Sequence, residues 1–338
     1  MGDPAGIGSE LCVKVLSDSD VYERCRPVVV GDAACLDDAL SFTGIELKVN
    51  RIVSPSEGLY LPGTVDVLDM GNVDMSRLEY GQVSGMCGKA AGEYIEKVIG
   101  LALSGDVDAT VTNAIHKESF KLGGWGEKYP GHTEMYADLT GTKNYSMMLA
   151  HGNLRTVHVS THVSLRQACD AAKKERICDV IDIAYNACRA MGLEEPKIGV
   201  AALNPHAGEH GLFGDEELEE IIPAVEAAKA KGYNVDGPVP ADTVFSKARG
   251  GWYDIVVSMY HDQGHMPMKL LGFIYDEKTE KWSSVAGVNV TLGLPIIRAS
   301  VDHGTAFGKA GKGTASEDSL KDAIDYAVTF AKSPADKG

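Results

Sequence analysis

No stretch of this sequence is apolar for long enough to cross a bilayer, no two cysteines are spaced as CxxC, and bases are in short supply. Lys and Arg number 32 against 48 Asp and Glu, a formal charge of −16. Each shortage excludes something. Without about 20 consecutive apolar residues there is no transmembrane helix, and the opening Met1-Gly2-Asp3-Pro4 lacks the basic-then-apolar order of a secretory signal. The expected compartment is the cytoplasm. The seven cysteines (Cys12, Cys25, Cys35, Cys87, Cys169, Cys178 and Cys188) are odd in number and scattered, which argues against a disulfide framework. The acidic balance repels nucleic acid and anionic membranes, so neither is an expected partner and an anionic substrate must be caught locally.

Three short binding codes are missing too. The glycines of Gly2-Asp3-Pro4-Ala5-Gly6-Ile7-Gly8 are spaced GxxxGxG rather than GxGxxG, without a preceding strand, so the dinucleotide fingerprint fails, although amides of such a turn are expected to face an anion. Lys312 is followed by Gly313 instead of Ser or Thr, which rules out a P-loop, and there is no HExxH.

What is present is a 338-residue chain, 44% hydrophobic and 24% charged, long enough for two domains with a substantial core. Its pattern alternates strand and helix, the signature of an α/β fold. Strands are expected at 26–30, 45–49, 64–68, 108–112 and 198–203, and a hairpin at 147–160 turns at His151-Gly152-Asn153. Helices are expected at 33–40, 83–103, 169–190, 215–229 and 316–331. That at 83–103 carries Met86, Ala90, Tyr94, Val98 and Leu101 as one buried stripe. The glycine- and proline-rich residues 123–131 suit a domain crossing near Lys128, and 237–243 reads as a rigid turn placing Asp242 before the next strand.

The densest chemistry lies in Tyr260-His261-Asp262-Gln263-Gly264-His265, read as an active-site loop after the apolar strand 252–259. A lone histidine there is more often a satisfied structural residue. Two others also come after strands, however: His162 after Thr156-Val157-His158-Val159-Ser160, and His206 in Asn204-Pro205-His206-Ala207-Gly208-Glu209. Three such imidazoles suit a divalent metal with positions open to substrate. His132-Thr133-Glu134 opens a helix, where the Thr133 hydroxyl either caps it or holds an anion. In the apolar stretch 288–298 the exceptions are Asn289 and Arg298, and Arg298 needs a carboxylate or a phosphate as partner.

These motifs, with Pro240-Ala241-Asp242-Thr243 and Ser300-Val301-Asp302-His303-Gly304-Thr305-Ala306, resemble the 4-hydroxythreonine-4-phosphate dehydrogenase family over almost the whole chain. The resemblance implies an isocitrate/isopropylmalate dehydrogenase-like fold, two α/β domains around a central cleft. One would comprise 1–128 plus 302–338 with the NAD adenosine site, the other 129–301 with metal site, substrate site and dimer contacts. It makes His162, His206 and His261 the metal ligands, contributed across a homodimer interface. His132, Thr133, Lys269, Asn289 and Arg298 become substrate contacts, and His303, Gly304, Thr305, Ala306 and Gly311 lie at the cofactor. Lys269, or Asp242 through a water, would take the proton.

The implied reaction is oxidation and decarboxylation of a phosphorylated four-carbon 3-hydroxy acid, using NAD (or NADP) and Zn, Mg, Mn or Co. Two departures stand out. Met1 takes the place of a strand usual in the family, and residues 274–286 form an insertion with His265 just upstream. Both point toward the branch acting on 4-phospho-D-threonate or 4-phospho-D-erythronate, which would yield dihydroxyacetone phosphate and CO2. The alternatives are the vitamin B6 enzyme acting on 4-phosphohydroxy-L-threonine, a metal-dependent phosphatase, and a non-catalytic sugar-phosphate binding protein.

Overall fold

The computed structural model describes residues 1–277 and 281–332. In chain order its strands are β1 (Val29–Gly31), β2 (Lys48–Ile52), β3 (Thr64–Asp69), β4 (Ala109–Thr112), β5 (Ser146–His151), β6 (Leu154–His158) and β7 (Lys197–Ala201). Next come β8 (Asn234–Val239), β9 (Ile255–Ser258), β10 (Phe273–Asp276), β11 (Lys281–Val285), β12 (Val288–Leu292) and β13 (Ile297–Val301). Helices alternate with them, as the sequence period requires. Among the described residues no helix is long and apolar enough to cross a membrane.

The chain divides into two compact units, Met1–Thr142 with Leu294–Ala331, and Lys143–Gly293. Both divisions fall away from the positions expected after residues 128 and 301, for packing reasons. The Trp125 indole donates to the Lys89 carbonyl at 3.2 Å, and buried Tyr129 packs with Ile95, Ile99, Phe120, Met135 and Tyr136. The glycine-rich stretch is therefore part of the first unit's core and not a linker. At the other end β13 pairs in parallel with β4, which holds Arg298 opposite Thr110 in the first unit.

In that unit β1, β3 and β2 form a parallel sheet in the order β1-β3-β2. Leu11, Val13, Val15, Leu36, Val65 and Val67 fill its core without solvent contact. The long helix Gly85–Leu103 starts where the Ser84 hydroxyl accepts from the Cys87 amide at 3.4 Å. At Gly88 a Cβ would lie 1.7 Å from the Ser119 carbonyl, so glycine is what lets helix Lys117–Leu122 approach so closely. The amides expected to face an anion in the N-terminal turn are occupied internally. Asp3 donates to Ala114 O, Ala5 to Asp3 Oδ1, and Ile7 to Thr305 O.

The second unit carries strands in the order β12-β5-β6-β9-β7-β8. The β12–β5 and β5–β6 pairs are antiparallel, and β6–β9, β9–β7 and β7–β8 are parallel. All of β9 is buried, which explains its uninterrupted apolar run. Three local expectations change here. The helix expected at 169–190 is two, Leu165–Ala171 and Lys174–Ala190, because the Glu220 carboxylate accepts from Lys174 N at 2.7 Å and Lys173 Nζ at 2.9 Å where the second begins. Residues 237–243 are the end of β8 and the start of helix Ala241–Arg249 rather than a free turn.

The third change concerns the active-site segment, which is a helix, His261–Gly272, instead of a loop. Buried Gln263 fixes its start, accepting from Met259 N and donating to Ala202 O, each at 2.7 Å. Of the insertion at 274–286, residues 278–280 lie outside the described residues, and the flanking β10 and β11 pair antiparallel.

Candidate active site

Because β6, β9 and β7 are parallel neighbours, their carboxyl ends share one edge of the sheet, and the segments after them carry His162, His261 and His206. Asp242 joins this edge from the first turn of the helix after β8. This edge is where open α/β sheets bind ligands. The rings of His162 and His261 are 5.9 Å apart, and both residues line one cavity with Ser164, Gln167, Tyr260 and Met266. His265 stacks on His261 at 3.6 Å, and its Nδ1 hydrogen-bonds the His261 carbonyl at 2.9 Å. Lys269 comes one turn later, so His261, His265 and Lys269 recur at every fourth residue along one side of the helix. Its ammonium lies 4.2 Å from the Phe273 ring centroid.

Imidazole nitrogens, which hold divalent ions at about 2.0–2.1 Å, make this donor set chemically suited to a metal. Within one chain the set is not closed. Among the described residues no three His, Cys, Asp or Glu side chains converge on a common point, and the His206 ring lies 6.2 Å from that of Phe213. Beneath this edge sits buried His158, whose Nδ1 is 3.0 Å from the Met147 carbonyl and whose ring is 4.8 Å from that of His265. Burial pushes its pKa down to about 3, against a smaller opposing effect of the Met147 hydrogen bond. Asn289 lies in the same unit, on β12 opposite Leu149.

The first unit holds a second group. Arg298 is buried on β13 and donates to the hydroxyls of Thr133 and Thr112, each at 3.2 Å, with its guanidinium 5.3 Å from the Tyr136 ring centroid. The Thr133 hydroxyl thus engages Arg298 and does not cap its helix, whose N-cap residue Gly131 makes no side-chain cap bond. His132, at that helix start, has a buried Nε2 without a hydrogen-bond partner. Burial, reinforced by the Arg298 charge, holds its pKa well below the usual imidazole range, so it is neutral at pH 7. A cation, a neutral imidazole and a helix start together suit an oxyanion.

The segment expected at the cofactor is also in the first unit. Thr305 is buried and accepts from Ile7 N at 3.2 Å, Ala306 has φ 46° and Gly311 φ 71°. A Cβ at Gly304 or Gly308 would meet nothing within 4 Å, so open space faces this backbone. Lys14 and Glu10 tie down the far end. Lys14 Nζ donates to Gly313 O at 3.0 Å and Ala315 O at 2.6 Å, while Glu10 accepts from Ala315 N at 2.7 Å.

Sequence reasoning overlooked Tyr136 and Thr112, which carry no motif of their own, and Glu217, which sits among acids that read as a solvated face yet is 1% exposed.

Comparison with known proteins identifies the family. Residues 23–327 match the family described as pyridoxal phosphate biosynthetic protein PdxA. The chain is 45% identical over 331 residues to a Clostridium botulinum protein named "Putative D-threonate 4-phosphate dehydrogenase", covering 98% of this chain and 95% of that one. Among solved structures it resembles 4-hydroxythreonine-4-phosphate dehydrogenase from Klebsiella pneumoniae, with TM-score 0.86, 44% identity and coverage of 98% and 96%. It also resembles the enzyme of that name from Burkholderia phymatum, with TM-score 0.83, 46% identity and the same coverage. A match of this extent, on a mixed α/β fold with the expected motifs in order, establishes that the chain belongs to the PdxA family of dehydrogenases.

Proposed function

We propose that this protein oxidises the C3 hydroxyl of a 4-phosphorylated four-carbon 3-hydroxy acid, with loss of CO2, using NAD and a divalent metal. 4-Phospho-D-threonate or 4-phospho-D-erythronate is the substrate, and dihydroxyacetone phosphate the product. The observation that carries the reading is the buried Arg298 beside neutral His132 at a helix start, a combination suited to a phosphate monoester. The name of the Clostridium botulinum relative supports the sugar-acid substrate.

NAD and a divalent ion, when bound, supply the hydride acceptor and the polarisation of the C3 alcohol. His162, His206 and His261 would hold the ion, and the segment from His303 to Ala306 with Gly311 the adenosine. A set shared between two chains of a homodimer needs no closed three-donor group within either. Arg298, Thr133 and His132 bind the phosphate, and Asn289 contacts the substrate. Lys269, or Asp242 through a water, takes the proton from the C3 hydroxyl as hydride leaves C3. In the resulting β-keto acid the C1–C2 bond breaks, its electron pair passes to C2, and a proton returned to C2 completes the ketone. Such a protein works in the cytoplasm on a small phosphorylated metabolite.

One observation favours a second substrate. The Klebsiella pneumoniae and Burkholderia phymatum proteins carry the name 4-hydroxythreonine-4-phosphate dehydrogenase, which points to the analogue with an ammonium at C2. A site built to hydrogen-bond one polar group rejects an analogue lacking it by roughly 10⁴ or more. His265, one turn before Lys269, is the added polar group near the base and favours the C2 hydroxyl. Measuring kcat/KM for the three substrates with NAD and metal saturating decides between them. A clear preference for 4-phosphohydroxy-L-threonine refutes the sugar-acid reading, and phosphate release without NAD reduction refutes the dehydrogenase reading.

A further inference from the structure

Among the described residues, the backbone that presents His206 holds the longest run of positive φ. His206, Ala207, Gly208, Glu209 and His210 have φ of 52°, 54°, 76°, 42° and 56°, so a full turn lies in the left-handed region. Residues with a Cβ enter that region singly and at a steric cost, not in runs. A run persists only where its surroundings fix it, and such places cluster at functional sites.

What fixes it is Glu217, a side chain 1% exposed. One carboxylate oxygen, Oε1, accepts from Leu203 N at 2.8 Å and Asn204 N at 2.7 Å. The other, Oε2, accepts from Asn204 Nδ2 at 2.9 Å, and a Cβ at Gly208 would come within 2.7 Å of it. Asn204 Nδ2 also donates to Glu216 Oε2 at 2.6 Å. Glu217 itself opens a π-helical turn, Glu217–Ile221, a local irregularity frequent at functional sites. One buried carboxylate therefore grips the backbone entering the left-handed turn and packs against its middle.

We propose that Glu217 is a positioning residue for His206, holding the Asn204–Glu209 backbone so that the imidazole is presented for ion binding. This rests on the assignment of His206 as a ligand made above. A carboxylate serving the fold alone would affect stability and leave ion affinity untouched.

The test uses full-length Glu217→Gln, which keeps volume but sets an amide NH2 among groups that are all donors. Calorimetric titration with Zn²⁺ or Co²⁺ is read beside hydrogen exchange at residues 203–211. The expected result is an ion Kd raised by about tenfold or more, in the range of roughly 10 to 100-fold found for groups that orient metal ligands, together with faster exchange in that segment. Asn204→Ala, which removes only the Asn204 side-chain bonds, is expected to do the same to a smaller degree and serves if Glu217→Gln does not fold. A variant that binds the ion as wild type does overturns the proposal, and so does weakened binding with unchanged exchange at 203–211. If His206→Ala binds the ion as tightly as wild type, the ligand assignment fails and takes this proposal with it. A loss confined to His206→Ala leaves the assignment standing and sinks only the role of Glu217.

Discussion

The guanidinium of Arg298 lies over the ring of Tyr136, 5.3 Å from its centroid, and the Tyr136 hydroxyl donates to Thr110 Oγ1 at 3.0 Å. Thr110 in turn donates to the carbonyl of Ile297, the residue before Arg298, at 2.9 Å. The aromatic ring is thus tied to the strand whose arginine it supports.

A desolvated cation–π contact contributes roughly 2 kcal/mol. Tyr136→Leu is therefore expected to raise KM for the phosphorylated substrate by about tenfold or more, with kcat changed less. Tyr136→Phe, which keeps the ring, is expected to stay close to wild type. Steady-state kinetics and inhibition by inorganic phosphate measure both, and equal losses in the two variants would transfer the role to the hydroxyl.

Chelation is expected to abolish turnover, and His206→Ala to lower bound metal with a loss of activity well above tenfold, since changes to groups behind the ligands already cost roughly 10 to 100-fold. Metal analysis and activity of exhaustively stripped protein check this. Full activity without metal would end the metal reading.

If each site takes His261 from one chain and His206 from the other, mixing inactive His261→Ala with inactive His206→Ala subunits regenerates one intact site per mixed dimer. Partial recovery of activity after co-refolding is the expected outcome. No recovery, with an active monomer in sedimentation, would count against a shared site.

His158 gives the protein an acid limit. Its pKa is pushed down to about 3, so the unfolded chain takes up a proton below pH 6.5 that the folded chain refuses. Its contribution to stability is fully present above pH 6.5 and is lost as the pH falls toward 3. The gap in Tm between wild type and His158→Asn is expected to narrow across that window, and a constant gap would mean that His158 is not buried neutral.

Much of the candidate site is legible from residues alone because its carriers are local. A buried parallel strand reads as an apolar run, and the segment after its carboxyl end stands at the ligand-binding edge, so His162, His206 and His261 stand out as candidates from the strands before them. The helix His261–Gly272 was missed because Gly264 and Pro267 are helix-unfriendly, and the capture of Gln263 by Met259 and Ala202 is a contact no local pattern contains. Glu217 was missed for the converse reason, since an acid-rich segment reads as exposed unless the donors that bury one of its members are known.

The α/β alternation, the order of the motifs and the family are all written in neighbouring residues, as periodicity and short motifs, and were readable before any strand was placed. Which strand lies beside which was not. Packing puts β9 between β6 and β7, where chain order runs β6, β7, β9. The partners of Arg298 were hidden in the same way, since Thr112 and Thr133 stand 186 and 165 positions away. Contacts at that separation are fixed by which surfaces exclude water together, a property of the packed chain and not of any segment of it.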